Sequence, residues 1–324
     1  MKIAIIGAGS WGTCLAVLLG EKGYDVKLWC RREELASEIE AKKENIQYLP
    51  GIKIPGNVIA DHSFGNVLDS SAIIITAIPS EFLRGTIKEI KPYFKNQTIV
   101  SVTKGLERHS CRRMSQVIEE ELGKAKIAVL SGPNHAEEVS RKMPTASVIA
   151  SKDRKTAKLI SETLAAPHFK LYQLNDVAGV EICGALKNIP AIATGVVDGL
   201  GFGDNAKASI ITLGLMEMNN FGRHFGAKRG TVYGLAGVGD LIATCISKHS
   251  RNRFFGYELS KGKKAEEIKK EMRGMIAEGI PTTKAVYEYS KEHKIEMPLT
   301  HQTYEVLFEN KDLKQAIKDL LRLI

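Results

Sequence analysis

The pattern of hydrophobic and polar positions changes once along this chain of 324 residues. As far as about residue 175, short apolar runs rich in Ile and Val alternate with helical stretches. Beyond Asn175 the strand patterns fade, and apolar residues recur at helical spacing. Alternating strands and helices are typical of a doubly wound parallel sheet, whereas helices alone form a separate layer. The pattern predicts a dinucleotide-type α/β domain over residues 1–175 and a helical domain over residues 176–324.

The first half carries seven predicted strands, at residues 2–6, 25–30, 72–77, 98–103, 126–130, 145–151 and 169–173. The second half carries predicted helices at 176–197, 205–221, 251–260, 265–276, 282–293 and 301–309, with a helical tail to residue 324. The helix predicted at 176–197 is expected to join the two domains.

Glycines follow the first predicted strand at the spacing G-x-G-x-x-G, in Gly7-Ala8-Gly9-Ser10-Trp11-Gly12, and a helix comes next. Gly7 permits the tight turn, Gly9 lets the backbone approach a pyrophosphate, and Gly12 allows close packing of helix and strand. The helix N-terminus then faces the anion. Because the motif stands between a strand and a helix, it favours a Rossmann-type dinucleotide site over a glycine turn without a ligand.

The second predicted strand ends at Arg31-Arg32, where NAD-preferring proteins place an acidic residue on the ribose. Two guanidinium groups suit a 2′-phosphate, which favours NADP(H). Glu33 follows directly and could hold the ribose instead, so NAD(H) stays possible.

Three later strands each run into a loop of Gly, Pro and polar residues, at 78–80, 104–106 and 131–134. In a doubly wound sheet the ligand lies beyond the carboxyl ends of the strands. We therefore expect Lys104 to be a cation at the edge of the cofactor site, although a surface lysine in a turn is the simpler alternative.

Lys187 lies inside the apolar run 180–193. On a helix, its neighbours one turn away are Cys183, Gly184, Pro190 and Ala191, and none of them carries a charge. Burial would favour the neutral amine, which can act as a base or an acid. Pro190 leaves the carbonyl of Leu186 without its usual donor and is expected to kink the helix. The alternative is a lysine that reaches out to solvent from a helix end.

Two further polar groups follow in the helical half. Asp240 ends the glycine-rich loop 234–241 at the start of a helix, with Thr244 one turn on, and simple N-capping is its alternative role. Ser250 precedes a helix whose first turn contains Arg251, Asn252 and a further arginine. Arginines there oppose the helix dipole, which a bound phosphate would explain; surface arginines are the alternative.

Composition narrows the function further. Lys and Arg number 46 against 37 Asp and Glu, a net charge of +9 that suits phosphorylated ligands but does not single them out. The basic residues form neither one patch nor an aromatic-rich nucleic-acid surface. The five cysteines lack metal-ligand spacing, which predicts no zinc site, no disulfides and a cytoplasmic location. No targeting segment or membrane span is apparent, and none is expected.

Together these residues resemble the NAD(P)-dependent glycerol-3-phosphate dehydrogenase family of the bacterial type, over nearly the whole chain. The resemblance is carried by Gly7-Ala8-Gly9-Ser10-Trp11-Gly12, Ser101-Val102-Thr103-Lys104-Gly105-Leu106-Glu107, Ser131-Gly132-Pro133, Gly184-Ala185-Leu186-Lys187-Asn188, Gly203-Asp204-Asn205-Ala206-Lys207-Ala208, Gly237-Val238-Gly239-Asp240-Leu241 and Ser250-Arg251-Asn252.

The resemblance implies that Lys187 is the proton acceptor. It implies substrate contacts for Lys104, Gly132, Asn134, Asp240, Ser250, Arg251 and Asn252, and cofactor contacts for Ser10, Trp11, Arg31, Lys104, Ala136, Arg251, Ile276 and Glu278. Two positions depart from the family pattern. Position 134 is often Ser or Thr, and Leu213 stands where many bacterial members have arginine.

The resemblance implies the reversible reduction of dihydroxyacetone phosphate to sn-glycerol 3-phosphate by NAD(P)H, without a metal. It further implies a homodimer through the helical domain, whose product feeds glycerophospholipid synthesis. Alternatives are a 3-hydroxyacid or 6-phosphogluconate dehydrogenase, whose substrates carry carboxylates, and a dinucleotide sensor without turnover. A sensor would leave Lys187, Asp240 and the arginine-bearing helix start unexplained.

Overall fold

The structure is a computed structural model that describes residues 1–272 and 274–322. Its described residues form two compact units. The first comprises Met1–Thr103 and Met114–Val177, and the second comprises Lys104–Arg113 and Ala178–Ile324. The predicted boundary at residue 175 stays a prediction, and the hydrophobic pattern did not indicate that the segment Lys104–Arg113 belongs with the helices.

The first unit is built on one eight-stranded sheet, with strand order β3-β2-β1-β4-β5-β6-β7-β8. The strands are β1 (Lys2–Ile6), β2 (Asp25–Trp29), β3 (Val58–Asp61), β4 (Ile73–Thr76), β5 (Thr98–Ser101), β6 (Ile127–Ser131), β7 (Thr145–Ala150) and β8 (Phe169–Leu174). Every neighbouring pair is parallel except β6 and β7, which are antiparallel.

Helices cover both faces of this sheet. They are α1 (Ser10–Glu21), α2 (Glu33–Lys42), α3 (Phe64–Leu68), α4 (Ser80–Ile90), α5 (Met114–Leu122), α6 (Ala136–Val139) and α7 (Arg154–Leu164), with a 3₁₀ turn at Lys91–Tyr93. Strand side chains alternate between two cores, since Ile3 and Ile5 join one hydrophobic cluster and Ala4 and Ile6 join the other. The strands are therefore buried on both faces, as in doubly wound sheets.

The second unit is helical. Its helices are α8 (Val177–Leu186), α9 (Asn188–Leu200), α10 (Gly203–His224), α11 (Arg229–Val232), α12 (Asp240–Ile246), α13 (Arg251–Ser260), α14 (Ala265–Glu271), α15 (Gly279–Glu292), α16 (Pro298–Phe308) and α17 (Leu313–Leu321), with a π-helical turn at Leu235–Gly239. The predicted fold class, a Rossmann-type sheet followed by an all-α part, is confirmed.

The observed elements differ from the sequence prediction at β3 and at Lys187. Strand β3 is absent from the sequence prediction because it has only four residues and its buried Val58 and Ala60 alternate with an exposed Ile59. The single helix predicted at 176–197 is interrupted at Lys187. Parts of the helix predicted at 265–276 and of the predicted C-terminal tail fall on residues 273 and 323–324, which lie outside the described residues.

Helices α8 and α9 together, Val177–Leu200, have the length and the mean hydropathy, 1.3, of a membrane span. Within the described chain, no other continuous helical segment has both properties. All of the apolar window of Val177–Leu200 is buried inside the protein. A core helix of a soluble protein has the same properties, so the segment is weak evidence for a span.

Lys104–Arg113 is held on the helical unit at several points. Leu106 and Cys111 are 2% exposed and belong to the hydrophobic cluster of the helices. An Arg113 Nη1 to Glu181 Oε2 distance of 2.6 Å ties the end of the segment to α8. Since Lys104 opens this segment, its position is set by the helical core.

Candidate active site

The glycine fingerprint of the first unit leaves its backbone open where a ligand is predicted. A Cβ on Gly7 would lie 2.5 Å from the Ala77 oxygen, and one on Gly12 would lie 1.9 Å from the Gly7 oxygen. A Cβ on Gly9, in contrast, would meet nothing within 4 Å. Helix α1 begins at Ser10 without a side-chain cap and without acidic residues in its first turn. Open backbone at Gly9 and a helix start without a side-chain cap fit a pyrophosphate.

Trp11, in the first turn of α1, carries an indole Nε1 that is buried and has no hydrogen-bond partner within the described chain. Its ring packs edge-on against Phe169, with centroids 6.2 Å apart. A buried donor without an acceptor is costly, and a ligand atom would relieve that cost. The observation fits the predicted cofactor contact of Trp11.

Arg31 and Arg32 follow β2, on the side of the sheet next to β1. Both are exposed. The guanidinium of Arg31 lies over the Phe82 ring, 5.6 Å from its centroid, and Arg32 Nη2 donates to Gln47 Oε1 at 2.5 Å. Glu33 is also exposed. Arg31 and Arg32 therefore lie where a ribose or its phosphate is predicted.

The loop after β6 contains Gly132 and Asn134, and Ala136 begins the helix α6 that follows it. Gly132 has a φ of +129°, and a Cβ there would lie 3.0 Å from the Ser147 Cα, so only glycine fits comfortably. Asn134 and Ala136 are buried. The hydroxyls of Ser131 and Ser147 have no hydrogen-bond partner among the described residues, a polar feature that sequence reasoning missed.

In the second unit, Lys187 is surrounded by polar groups that come from distant parts of the chain. Its Nζ donates to Thr244 Oγ1 at 2.6 Å and lies 3.0 Å from Asp240 Oδ1. Thr244 Oγ1 in turn donates to the same Asp240 oxygen at 3.2 Å. Lys104 Nζ binds the other oxygen, Asp240 Oδ2, at 2.8 Å. One carboxylate thus holds two ammonium groups and a hydroxyl.

Burial separates this cluster from bulk water. The side chain of Lys187 is 7% exposed, that of Asp240 3% and that of Lys104 18%. Lys187 consequently does not reach out to solvent, and Lys104 is not a surface lysine. Helix α12 begins at Asp240 with Gly239 as its N-cap, so the Asp240 carboxylate is a counter-ion and does not cap the helix.

The sequence analysis expected no charged partner for the Lys187 ammonium, and this expectation is wrong. Its helical neighbours carry no charge, as predicted, but Asp240 is brought to it from α12. Fifty-three positions of chain separate the two residues, so local spacing could not reveal the pair. The chemistry of Lys187 must therefore be understood as that of an ion pair.

Pro190 accounts for the break between α8 and α9. Lys187 keeps helical torsions, φ −52° and ψ −24°, and the bonds from Lys187 N to the Cys183 oxygen and from Ala191 N to the Lys187 oxygen persist. Pro190 has no N–H to donate to Leu186. Lys187 stands at this interruption, directly before the first residue of α9.

The pKa values of Asp240 and Lys104 depend on two opposing effects, burial and the charges of neighbouring groups. Burial opposes ionisation of Asp240, but Lys104 and Lys187 outweigh it and hold the pKa of Asp240 below its usual range. Burial, with the nearby Lys187 charge, lowers the pKa of Lys104 to about 8, although Asp240 works in the opposite direction. A buried carboxylate with two lysines is typical of functional sites.

A second polar chain extends from Asn188, a residue that the sequence prediction did not assign to the site. Its Nδ2 donates to the Lys104 oxygen at 3.2 Å, and its Oδ1 accepts from Asn252 Nδ2 at 2.9 Å. Asn252 Oδ1 then accepts from Gly279 N at 2.8 Å. The position next to Lys187 was the only sequence signal for this role.

The start of α13 carries the predicted phosphate ligands. Ser250 caps it, accepting from Arg253 N at 3.2 Å, and Asn252 is buried while Arg251 is half-buried. Ile276 and Glu278 are also half-buried and lie on the segment that leads into Gly279. The structure thus brings together Lys104, Lys187, Asp240, Thr244 and Asn252 directly or through Asn188, all within the helical unit.

No group of three or more His, Cys, Asp or Glu that could hold a metal ion occurs in residues 1–272 and 274–322. The five cysteines are buried, and none of them forms a disulfide.

Two family models match the chain. Residues 2–157 match the N-terminus of NAD-dependent glycerol-3-phosphate dehydrogenase, and residues 176–318 match its C-terminus. Among curated proteins, glycerol-3-phosphate dehydrogenase [NAD(P)+] of Chlorobium phaeobacteroides (strain BS1) is 48% identical over 99% of this chain and 97% of its own length. The protein of the same name from Geobacillus kaustophilus (strain HTA426) is 46% identical over 99% and 94%.

A solved structure agrees with these matches. The crystal structure of glycerol-3-phosphate dehydrogenase from Coxiella burnetii superimposes with a TM-score of 0.96 at 41% sequence identity, covering 99% of this chain and 98% of that one. Both family models, the curated relatives and this structure point the same way: the chain belongs to the NAD-dependent glycerol-3-phosphate dehydrogenase family.

Proposed function

We propose that this chain catalyses the reversible reduction of dihydroxyacetone phosphate to sn-glycerol 3-phosphate by NAD(P)H, with Lys187 as the proton donor and acceptor. The observation that carries the proposal is the buried cluster of Lys187, Asp240, Thr244 and Lys104 in a member of this family. When bound, the nicotinamide supplies or accepts the hydride.

Lys187 has the contacts of a proton carrier. An ammonium has three N–H groups, and Thr244 and Asp240 engage two of them. The third is available for the oxygen of the ketone. Asp240 forms an ion pair with the Lys187 ammonium, and Thr244 accepts from it, which fixes the direction of the remaining N–H. In the reverse direction, Lys187 in its neutral form removes the hydroxyl proton of sn-glycerol 3-phosphate.

Phosphate recognition is assigned to the start of α13. Arg251 and Asn252 would bind the phosphate together with amides of the first helical turn, which Ser250 organises. Lys104 would bind the substrate beside Asp240. Gly132 and Asn134 are further proposed substrate contacts, with the asparagine replacing the hydroxyl of many relatives.

Cofactor binding is assigned to the fingerprint and to residues near it. Open backbone at Gly9 and the uncapped start of α1 support pyrophosphate binding there. Further proposed contacts are Gly7, Ser10, Trp11, Gly12, Arg31, Arg32, Lys104, Ala136, Arg251, Ile276 and Glu278. Exposed Arg31 and Arg32 support a preference for NADP(H) over NAD(H), with both accepted.

We further propose a cytoplasmic homodimer that supplies glycerophospholipid synthesis and needs neither metal nor nucleic acid. Buried cysteines without disulfides suit a reducing compartment. The residue ranges 1–175 and 176–324 remain the proposed domains.

The reaction is tested by following NADPH and NADH absorbance with dihydroxyacetone phosphate. We expect turnover with both cofactors and a higher kcat/KM with NADPH. Equal use of the two would contradict the assignment of Arg31 and Arg32 to a 2′-phosphate. Turnover only with carboxylate substrates would contradict the proposed reaction.

The role of Lys187 is tested with Lys187→Ala. Loss of the proton carrier should lower kcat by about 10²–10⁴-fold while cofactor binding persists. Lys248→Ala is the matched control, because Lys248 is an exposed lysine of the same unit. Near-normal kcat in Lys187→Ala would exclude this lysine as the proton carrier.

A further inference from the structure

Helices α9 and α13 pack backbone to backbone through glycines. A Cβ on Gly195 would lie 2.0 Å from the Arg253 oxygen, and one on Gly256 would lie 1.9 Å from the Ile192 oxygen. A Cβ on Gly199 would meet Ser260 Oγ at 1.7 Å. The seam between the two helices therefore has no room for side chains.

The two helices run parallel. Asn188 contacts Asn252 at their first turns, Ile192 faces Gly256 one turn further, and Gly199 faces Ser260 near their ends. Both N-termini therefore lie at the same end. The start of α9 adjoins Lys187, and the start of α13 carries the proposed phosphate ligands.

The glycines rule out a large shift of α13 on α9, because displacement by one residue would bring a side chain into a seam that has no room for one. They oppose small slides and rotations less, since interdigitated side chains normally fix how far one helix slides or turns on another. Even a small displacement would move the phosphate ligands relative to Lys187. Polar links beside the seam can restrict such displacements.

Asp198, in the last turns of α9, provides such a link. Its Oδ2 accepts from Arg253 Nε and lies 2.6 Å from both Nε and Nη2. Its Oδ1 lies 2.5 Å from Lys207 Nζ, on α10. Side-chain exposures of 14% for Asp198 and 25% for Arg253 place this pair partly out of solvent.

Both partners occupy positions that helix dipoles disfavour. A carboxylate lies near the C-terminus of α9, and a guanidinium lies in the first turn of α13. The two unfavourable placements become favourable only when the residues meet. The sequence analysis explained the arginines in the first turn of α13 by a bound phosphate. For Arg253, Asp198 is the partner instead.

We propose that Asp198 is a positioning residue for phosphate recognition: through Arg253 it fixes the register of α13 on the glycine seam of α9, and so holds Arg251 and Asn252 in place relative to Lys187. The inference rests on the proposed function, because it assigns the start of α13 to the substrate phosphate.

The test compares dihydroxyacetone phosphate with dihydroxyacetone, which lacks the phosphate, in Asp198→Asn. We expect kcat/KM for the phosphorylated substrate to fall about 10–100-fold, mostly through KM, because small displacements of binding groups cost that much. For dihydroxyacetone, kcat/KM should change less than about threefold, which corresponds to about 0.6 kcal/mol. This substrate has no phosphate for the start of α13 to bind.

Two further variants separate register from general stability. Lys207→Ala removes the other partner of Asp198 and leaves the Arg253 link, so both substrates should behave as in the unmodified enzyme. Arg253→Lys keeps the charge but loses the two-nitrogen fork, and it should repeat the phosphate-specific loss in weaker form. It replaces Asp198→Asn if circular dichroism shows that variant to be unfolded.

Equal losses on both substrates, or no loss, in variants of Asp198 and Arg253 would overturn the positioning role while leaving the proposed reaction intact. A phosphate-specific loss of the same size in Lys207→Ala would also overturn it, because that change spares the α9–α13 link. If the unmodified enzyme itself fails to reduce dihydroxyacetone phosphate, the proposed function fails, and the inference falls with it.

Discussion

At the residue scale, Asp240 determines the character of the site. A carboxylate side chain that is 3% exposed would be unstable alone, yet it contacts Lys104, Lys187 and Thr244. The family resemblance pointed to Lys104, Lys187 and Asp240 separately, and helical spacing placed Thr244 one turn after Asp240. Only the fold shows that one carboxylate connects them.

Lys104 gives the site a pH dependence. Burial lowers its pKa to about 8, so it loses its charge as pH rises through that value. We expect kcat/KM for dihydroxyacetone phosphate to decline between pH 7 and pH 10. Lys104→Arg keeps a permanent charge, and its profile should be flat over that range even if its activity is lower.

The readout is the shape of the pH profile at saturating cofactor. An unchanged decline at the same pH in Lys104→Arg would assign the titration to another group.

Glu217 is a buried carboxylate outside the site. It lies on α10, and its oxygens accept from Thr300 N at 3.2 Å and Thr300 Oγ1 at 2.6 Å, at the start of α16. Burial raises its pKa to about 7, which these bonds oppose. Leu213, four residues earlier where many relatives have arginine, is buried in an apolar cluster and brings no charge to Glu217.

Glu217 should make the protein less stable as pH rises from about 4.5 to about 7. Its folded pKa exceeds its unfolded value, so the folded state binds the extra proton in that window, and stability is lost as the proton leaves. Glu217→Gln should remove that part of the pH dependence, which amounts to a few kcal/mol.

Urea unfolding at pH 5 and pH 7.5 measures the effect. The free energy of unfolding of Glu217→Gln relative to the unmodified protein should rise between these pH values. Exposed Glu292→Gln serves as the control and should show no such difference. A constant offset for Glu217→Gln at both pH values would contradict the expectation.

At the element scale, α9 is the helix on which packing and chemistry meet. It begins beside Lys187, and its glycines admit α13 to direct backbone contact. Sequence periodicity predicted a helix here and placed a charge in it. It could not show that the glycines form an interhelical seam, because the partner Gly256 is more than 50 residues away.

Gly256→Ala should destabilise the protein by about 1–3 kcal/mol, because the new Cβ would lie 1.9 Å from the Ile192 oxygen and the helices would have to separate. Gly85→Ala is the matched control, since Gly85 is an exposed helical glycine of α4 with open space around it. It should be neutral or more stable by up to about 1 kcal/mol. Thermal unfolding of both variants checks the contrast, and a stable Gly256→Ala would argue against close packing at the seam.

At the scale of the whole molecule, what could be predicted from sequence was local. The fingerprint at Gly7, Gly9 and Gly12, the strand–helix alternation and the charge at Lys187 each depend on neighbouring residues. The antiparallel β7, the pairing of Asp240 with two lysines and the role of Asn188 depend on contacts between distant segments. Such contacts leave no periodicity in the sequence.

The five cysteines provide a test of the whole fold. All are buried, and burial raises the pKa of Cys30, Cys111 and Cys245 to about 12 and that of Cys14 further. Buried thiols without thiolate character are inert. A thiol reagent such as dithionitrobenzoate should therefore label the native protein very slowly. Once guanidinium unfolds the protein, the reagent should label all five cysteines. Rapid labelling of the native protein would contradict the packing of these clusters.

The membership of Lys104–Arg113 in the helical unit has a consequence for synthesis on the ribosome. The polypeptide emerges from its N-terminus at about 5–20 residues per second. Leu106 and Cys111 can pack in their hydrophobic cluster only after Val286 and Met297 are synthesised, more than 170 residues later. Until those partners are made, the apolar side chains of Leu106 and Cys111 stay uncovered in a segment whose other side chains are mostly charged or polar. The rate of elongation would therefore set how long this segment stays unpacked.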